Sequence, residues 1–253
     1  MLELTSPITI QASDPLPDWD FRVVKAFDGP AITIRGDLKA NGIGEFVSKI
    51  RLDCNWLSGG VVFDRLDNAI VEPCKVYRSK GTAISVESCR QSKFEGLQAT
   101  EAIGNVAIDI INRWPDRGDS TNACHFEFVS AYALGTLFGL VVEGNDVRGL
   151  GTCRNNLFGT VFLHTTWERQ MAMIPDAMQN AFLQDASMLC MTNCEDIEFQ
   201  RLTVTTSAKC QAIKTGRIDR CTFAGRVLVY DASQYVAPKG DVSKLVCVVR
   251  KDR

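Results

Sequence analysis

Three carboxylates fall on the same alternation phase of short segments: Glu87 in AISVE, Glu143 in GLVVE and, two residues earlier in its segment, Asp109 in AIDII. Side chains alternate along a strand, so if the second and fourth residues of each segment point inward, Ser85, Glu87, Asp109, Val141 and Glu143 face outward. On neighbouring strands about 4.8 Å apart, Glu87 and Asp109 would stand roughly 8 Å from each other and Glu87 and Glu143 about 10 Å. A carboxyl pair separated by about 6.5–9.5 Å suits an inverting glycosidase, in which one acid protonates the leaving oxygen and the other activates water. Glu87, Asp109 and Glu143 are therefore the candidate catalytic residues. The plain alternative is a solvated outer face, where carboxylates are common. A lyase would instead need a base for the proton alpha to a uronate carboxyl group, and a cation, for which Arg113, Arg117, Arg148 and Arg169 are available.

Binding chemistry points to other segments. Trp114 stands beside Asp116 and Arg117, Trp167 beside Arg169, and Asp146 and Arg148 share a glycine-rich stretch. Indole stacks on apolar faces and carries an N–H, so these seven residues are candidates for contacts with a sugar chain. The bland reading of each tryptophan is an anchor that pins its loop to the scaffold. His125 and His164 fall in strand-like segments and read as structural. Nothing in the sequence points to a metal or a cofactor: no Cys-x-x-Cys occurs, and neither GxGxxG nor a phosphate-loop lysine is present.

What must hold these residues is a repeat. Aromatic or aliphatic stations fall at Ile70, Phe94, Phe128, Phe158, Phe199 and Phe223, and small residues open alternating strands at Ala83, Ala107, Gly139 and Ala212. Gly60 and Ala31 fit the second series less tightly. Phe94 to Ala107 and Phe199 to Ala212 are both 13 residues, and Ala83 to Phe94 and Ala212 to Phe223 are both 11, so the unit is 24 where nothing is inserted. Cys89, Cys153 and Cys194 each precede a station phenylalanine by five residues, with Ala123 and Ile218 at the same phase elsewhere. A column of small or apolar residues at one phase is what stacked inward positions require. Short strands repeated at this period predict a solenoid with one coil per repeat.

Insertions interrupt the rhythm at 112–122, 144–152 and 186–193, taking Ala181 as the opener of a coil, and at an opposite corner over 165–179. The first three are expected side by side as a wall of loops, and loops on a rigid scaffold are where binding and catalysis gather.

This repeat resembles the right-handed parallel β-helix of the pectin-lyase-like superfamily, which includes pectate lyases, polygalacturonases and phage tailspikes. The resemblance spans about residues 30–230, and the NTD, GHG and RIK sets of polygalacturonases are missing. It implies an all-β, single-stranded solenoid of about seven coils: an N-terminal cap over 1–30, the β-helix over 31–230, and a C-terminal β segment over 231–253 that caps or makes oligomer contacts. It also implies a polysaccharide ligand and, as in tailspikes, a homotrimer carried on a virion tail. Three functions remain open: a tailspike-like protein that recognises and in some cases cleaves a host-surface polysaccharide, a free-standing polysaccharide lyase or hydrolase, and a structural spacer.

Composition agrees with a folded domain. Of 253 residues, 45% are hydrophobic and 23% charged, and the net charge of -2 argues against bulk attraction for nucleic acid. No apolar run is long enough to cross a bilayer. The first 21 residues lack a basic region followed by an apolar stretch, which predicts synthesis in the cytoplasm without a signal peptide. Ten cysteines in such a chain are expected to be reduced and buried.

Overall fold

A computed structural model describes residues 1–12, 14, 19–36, 45–112, 121–144, 151–165, 186–206 and 210–249. Every ladder in it is parallel, and strands pair with those one turn earlier and one turn later, except at the ends of each stack where only one neighbour is present, which makes the chain a parallel β-helix.

Three sheet faces result. The first stacks Ile8–Gln11, Pro30–Arg35, Gly59–Asp64, Ile84–Glu87, the end of Leu97–Ile111, the end of His125–Glu143, Ser187–Thr192 and Gln211–Thr215. The second stacks Phe46–Val47, Ile70–Val71, Lys93–Phe94 and the starts of His125–Glu143, Leu157–Thr165, Glu198–Thr205 and Thr222–Val229. The third begins at Leu2–Leu4, Trp19–Val23, Ile50–Asp53 and Cys74–Tyr77, and continues through the later long strands to Asp241–Val249. Residues 1–30 thus contribute strands to the ladder, and Asp241–Val249 adds one more parallel strand at the other end.

Alternation decides what enters the core. On the first face Ile84, Ile108 and Leu140 are register partners, as are Val86, Ile110 and Val142, and all six are fully buried. On the second face the inward position holds a column of rings. Phe94, Phe126, Phe158, Phe199 and Phe223 stack with centroids 5.0, 4.7, 4.5 and 5.4 Å apart, and Phe63 meets Phe94 edge-on at 5.6 Å. At these separations the rings add contact energy beyond their burial.

The register corrects several expectations. Phe94 pairs with Phe126, so the station is Phe126 and not Phe128, which lies two residues further on and is only half-buried. The partner of Phe94 on the preceding coil is Val71, while Ile70 points outward at 46% exposure. Gly60 and Ala31 are in register with Ala83 after all, since Val61 pairs with both Ile84 and Ile32. Leu189 pairs with Leu140 and Ile213, which makes Met188 the opener of its coil. Ala181 lies outside the described residues. Most of 186–193 is therefore the buried strand Ser187–Thr192 rather than a loop, and two of the three expected insertions remain, at 112–122 and 144–152, most of each lying outside the described residues. Those two are equal in size: Phe94 to Phe126 and Phe126 to Phe158 are each 32 residues, eight more than the 24-residue unit. Phe158 to Phe199 is 41 residues, so the excess at the opposite corner is 17. In the first long coil FEFVSA offers two phenylalanines two positions apart, and in the last the 17-residue excess removes the count that would point to Met188.

One bend per coil turns the chain from the first face to the second. Asn68, Gln91, Ala123, Asn155, Asp196 and Arg220 occupy this column, all with left-handed φ between 46° and 56°. Just before the bend the inward column is Leu66, Cys89, Thr121, Cys153, Cys194 and Ile218, with Thr121 standing where Ala123 was expected. Cys124 and Cys221 are buried immediately after it.

All ten thiols are free, and eight are buried, with Cys190 and Cys247 half-exposed. Burial pushes Cys54 and Cys124 up to about 12 and Cys221 up to about 11. Cys153 is raised by its hydrogen bond with Cys194 and then by burial. Thiols held protonated in this way are poor nucleophiles.

Two outcomes are expected from the core. Phe126→Ala or Phe158→Ala opens a gap in the ring column and costs about 3–5 kcal/mol in urea unfolding, against less than about 0.5 kcal/mol for an exposed substitution. In native protein a thiol reagent modifies Cys190 and Cys247 rapidly and the other eight only on unfolding, as counted by mass spectrometry.

Candidate functional site

The outward residues of the first face form a cleft over four successive coils. Gly29, Pro30, Gly59, Val62, Lys80, Gly81, Thr82, Ser85, Glu87 and Asp109 are among the residues that line a cavity of about 240 Å³. Its rim is the turn that leads from the third face to the first. Gly29 and Gly81 take φ of +86° and +102° there, a backbone that side chains seldom adopt, and open space lies where a Cβ would stand. The glycines keep the cleft mouth wide.

Glu87 and Asp109 come together in this cleft. Ser85 pairs with Asp109 across the ladder, so Glu87 lies one coil and two residues from Asp109. At strand spacings that offset is about 8 Å between Cβ positions. Glu87 is only 3% exposed and Ser85 4%, and the Ser85 hydroxyl donates to Glu87 Oε1 at 3.0 Å. Asp109 is half-buried and Lys80 exposed at the rim. Glu87 is thus a held, largely desolvated carboxylate and not part of a solvated face. Glu143 is exposed and separated from Glu87 by Ile111 in the same column, and it is not among the lining residues.

Sequence reasoning missed two neighbours. Asp64 occupies the Glu87 position one coil earlier, buried and ion-paired to Arg35 at 3.0 Å and Arg65 at 3.2 Å, which balances its charge. The signal was present, since GVVFD has the same phase as AISVE. Trp56 lies on the turn into Gly59. Arg78 sits 5.4 Å above its ring, and Trp56 Nε1–H donates to the Glu101 carbonyl at 3.4 Å. Arg78 is held in turn by Asp53, with Nε–Oδ1 at 2.9 Å and a second, close Nη2–Oδ2 contact. Only the three-dimensional adjacency of coils 23–25 residues apart brings these four together.

The predicted binding residues Trp114, Asp116, Arg117, Asp146, Arg148, Trp167 and Arg169 all lie outside the described residues. His125 is half-buried on the second face, and His164 stacks on Tyr132 at 5.3 Å on the third. Among the described residues no group of His, Cys, Asp and Glu is placed to hold a metal ion, and no helix is long and apolar enough to cross a membrane.

Fold and cleft define a class, a parallel β-helix bearing a carboxylate-lined groove on one sheet face. Comparison with protein families, with curated proteins and with solved structures returns no match.

The Asp53–Arg78 pair gives a pH dependence. Burial alone pushes Asp53 up, but hydrogen bonds from Arg78 and the Asn55 N–H, with the Arg78 charge, outweigh it and hold the carboxyl below its ordinary 3.8. A depressed folded value means that the contribution is full above the ordinary carboxylate range and is lost as pH falls through the depressed value. Asp53→Asn should therefore lower stability by about 1 kcal/mol at pH 7, with the difference closing below pH 3.8 in thermal melts.

Proposed function

We propose that this chain is a tailspike-like β-helix of pectin-lyase-like type that recognises a host-surface polysaccharide and hydrolyses it in the cleft over Glu87 and Asp109. The observation that carries the reading is the cleft itself: two acidic side chains whose Cβ positions are about 8 Å apart, one buried and held by Ser85, open at a glycine-edged rim. That spacing leaves room for a water between the second carboxylate and the sugar ring, while the first acid protonates the leaving oxygen. Lys80 and Thr82 at the rim offer hydrogen bonds to sugar hydroxyls. The cleft draws its lining from four successive coils, a run along the coil axis that suits a polymer better than a small molecule.

In this reading the chain works as a homotrimer on a virion tail. Support comes from the last strand, Asp241–Val249, whose Val246, Val248 and Val249 are 59%, 43% and 46% exposed. Exposed apolar side chains on a terminal strand favour contact with another chain.

Purified protein incubated with bacterial capsular, lipopolysaccharide and pectic polymers should release new reducing ends from at least one. Release should fall by at least 100-fold in Glu87→Gln and in Asp109→Asn, with Glu143→Gln close to wild type. Formation of unsaturated uronate would establish a lyase instead. Binding without release would leave a receptor-binding protein, and neither binding nor release a structural spacer.

A further inference from the structure

The turn that carries Trp56 is built in a way that packing alone does not require. Asn55 and Trp56 both take left-handed backbone, with φ of 51° and 55°. Left-handed residues recur on successive coils of this fold, so the bend belongs to the coil geometry; what is particular to this turn is that it places an indole there. The surroundings hold it. Trp56 N–H donates to the Arg78 carbonyl at 2.6 Å and Arg78 N–H to the Thr100 carbonyl at 2.9 Å, while Arg78 and Glu101 repeat the left-handed bend on the next two coils.

The indole that results is fixed on two of its three sides. The Arg78 guanidinium covers one face, and the N–H edge is tied to the Glu101 carbonyl. Trp56 as a residue nevertheless remains 37% exposed, although the inner columns of this fold take large aromatic rings readily. Because Arg78 is paired with Asp53, the assembly is a rigid apolar plate with a neutralised cation behind it. Its site in the fold adds the second argument. Gly59, three residues after Trp56, and Lys80, two residues after Arg78, both line the cleft, so the backbone that carries the plate is within about 10 Å of the rim.

The geometry points to Trp56 as a stacking platform for a neutral pyranose ring, a binding subsite beside the Glu87–Asp109 cleft. This rests on the polysaccharide reading above and deepens it: the polymer would lay one sugar in the cleft and a neighbouring one on the indole. The apolar C–H face of a pyranose matches the ring, and the tied N–H removes its preference for a charged or strongly polar partner. Arg78 and Asp53 act as positioning residues that lock the plate.

The test uses the full chain with immobilised bacterial capsular and lipopolysaccharide polymers. Glu87→Gln serves as a second background in which the polymer is not consumed. Trp56→Ala should weaken binding about three- to ten-fold in both backgrounds, while Trp56→Phe, which keeps an aromatic face, stays within about two-fold of its parent. Tryptophan emission of the wild type should shift on adding the bound polymer, and most of that shift should be lost in Trp56→Phe, a readout that holds even if the alanine variant folds poorly. Unchanged affinity in a folded Trp56→Ala, or an undiminished shift in Trp56→Phe, overturns the platform and leaves the cleft reading standing. Wild-type protein that binds no polymer overturns both.

Discussion

Everything in this molecule depends on parallel register between coils. Each coil must return to the same place about 4.8 Å along the axis, and a slip of one residue would send its apolar set outward. The ring column from Phe63 to Phe223 is the most direct expression of this constraint. So is the bend column from Asn68 to Arg220, where six consecutive coils accept a left-handed residue at one phase, whatever its type. The insertions obey it too. Eight extra residues enter twice at the same turn, and the pairing of Phe94, Phe126 and Phe158 is undisturbed.

The same register builds the cleft. Outward positions of one sheet face are addressed by coil and by phase, so the Cβ of an acidic residue at phase four of one strand and that of another at phase two of the next are set about 8 Å apart without a dedicated scaffold. The rim follows from glycines where the third face turns into the first. Catalytic and binding groups set on strands are held more firmly than groups on loops, and here Ser85 adds a hydrogen bond that locks the Glu87 carboxylate.

Much of this could be read from the sequence, and the limits were physical. The 24-residue unit and the inward set at Ile84, Ile108 and Leu140 were legible because alternation has a period of two and uninserted coils keep it. Residue type alone points to Phe128 where the register has Phe126, and to Ala181 where it has Met188, because an insertion erases the count that would choose between apolar candidates. Glu87 and Asp109 were legible as an outward pair, but the near-complete burial of Glu87 was not, since it depends on the rim of the preceding coils. Trp56 was invisible as a site. Its neighbours Arg78 and Glu101 are one and two coils away, and no local pattern marks a turn that holds an indole in the open.

The most direct test of the account is the anomeric configuration of the first product, followed by proton NMR as the protein acts on a polymer that it binds. In the proposed hydrolysis, a water activated by Asp109, whose Cβ stands about 8 Å from that of Glu87, attacks opposite the leaving oxygen and inverts the cleaved centre. An inverted reducing end that appears first and then mutarotates is the expected result. A retained configuration, an unsaturated product, or no product from any bound polymer would contradict it.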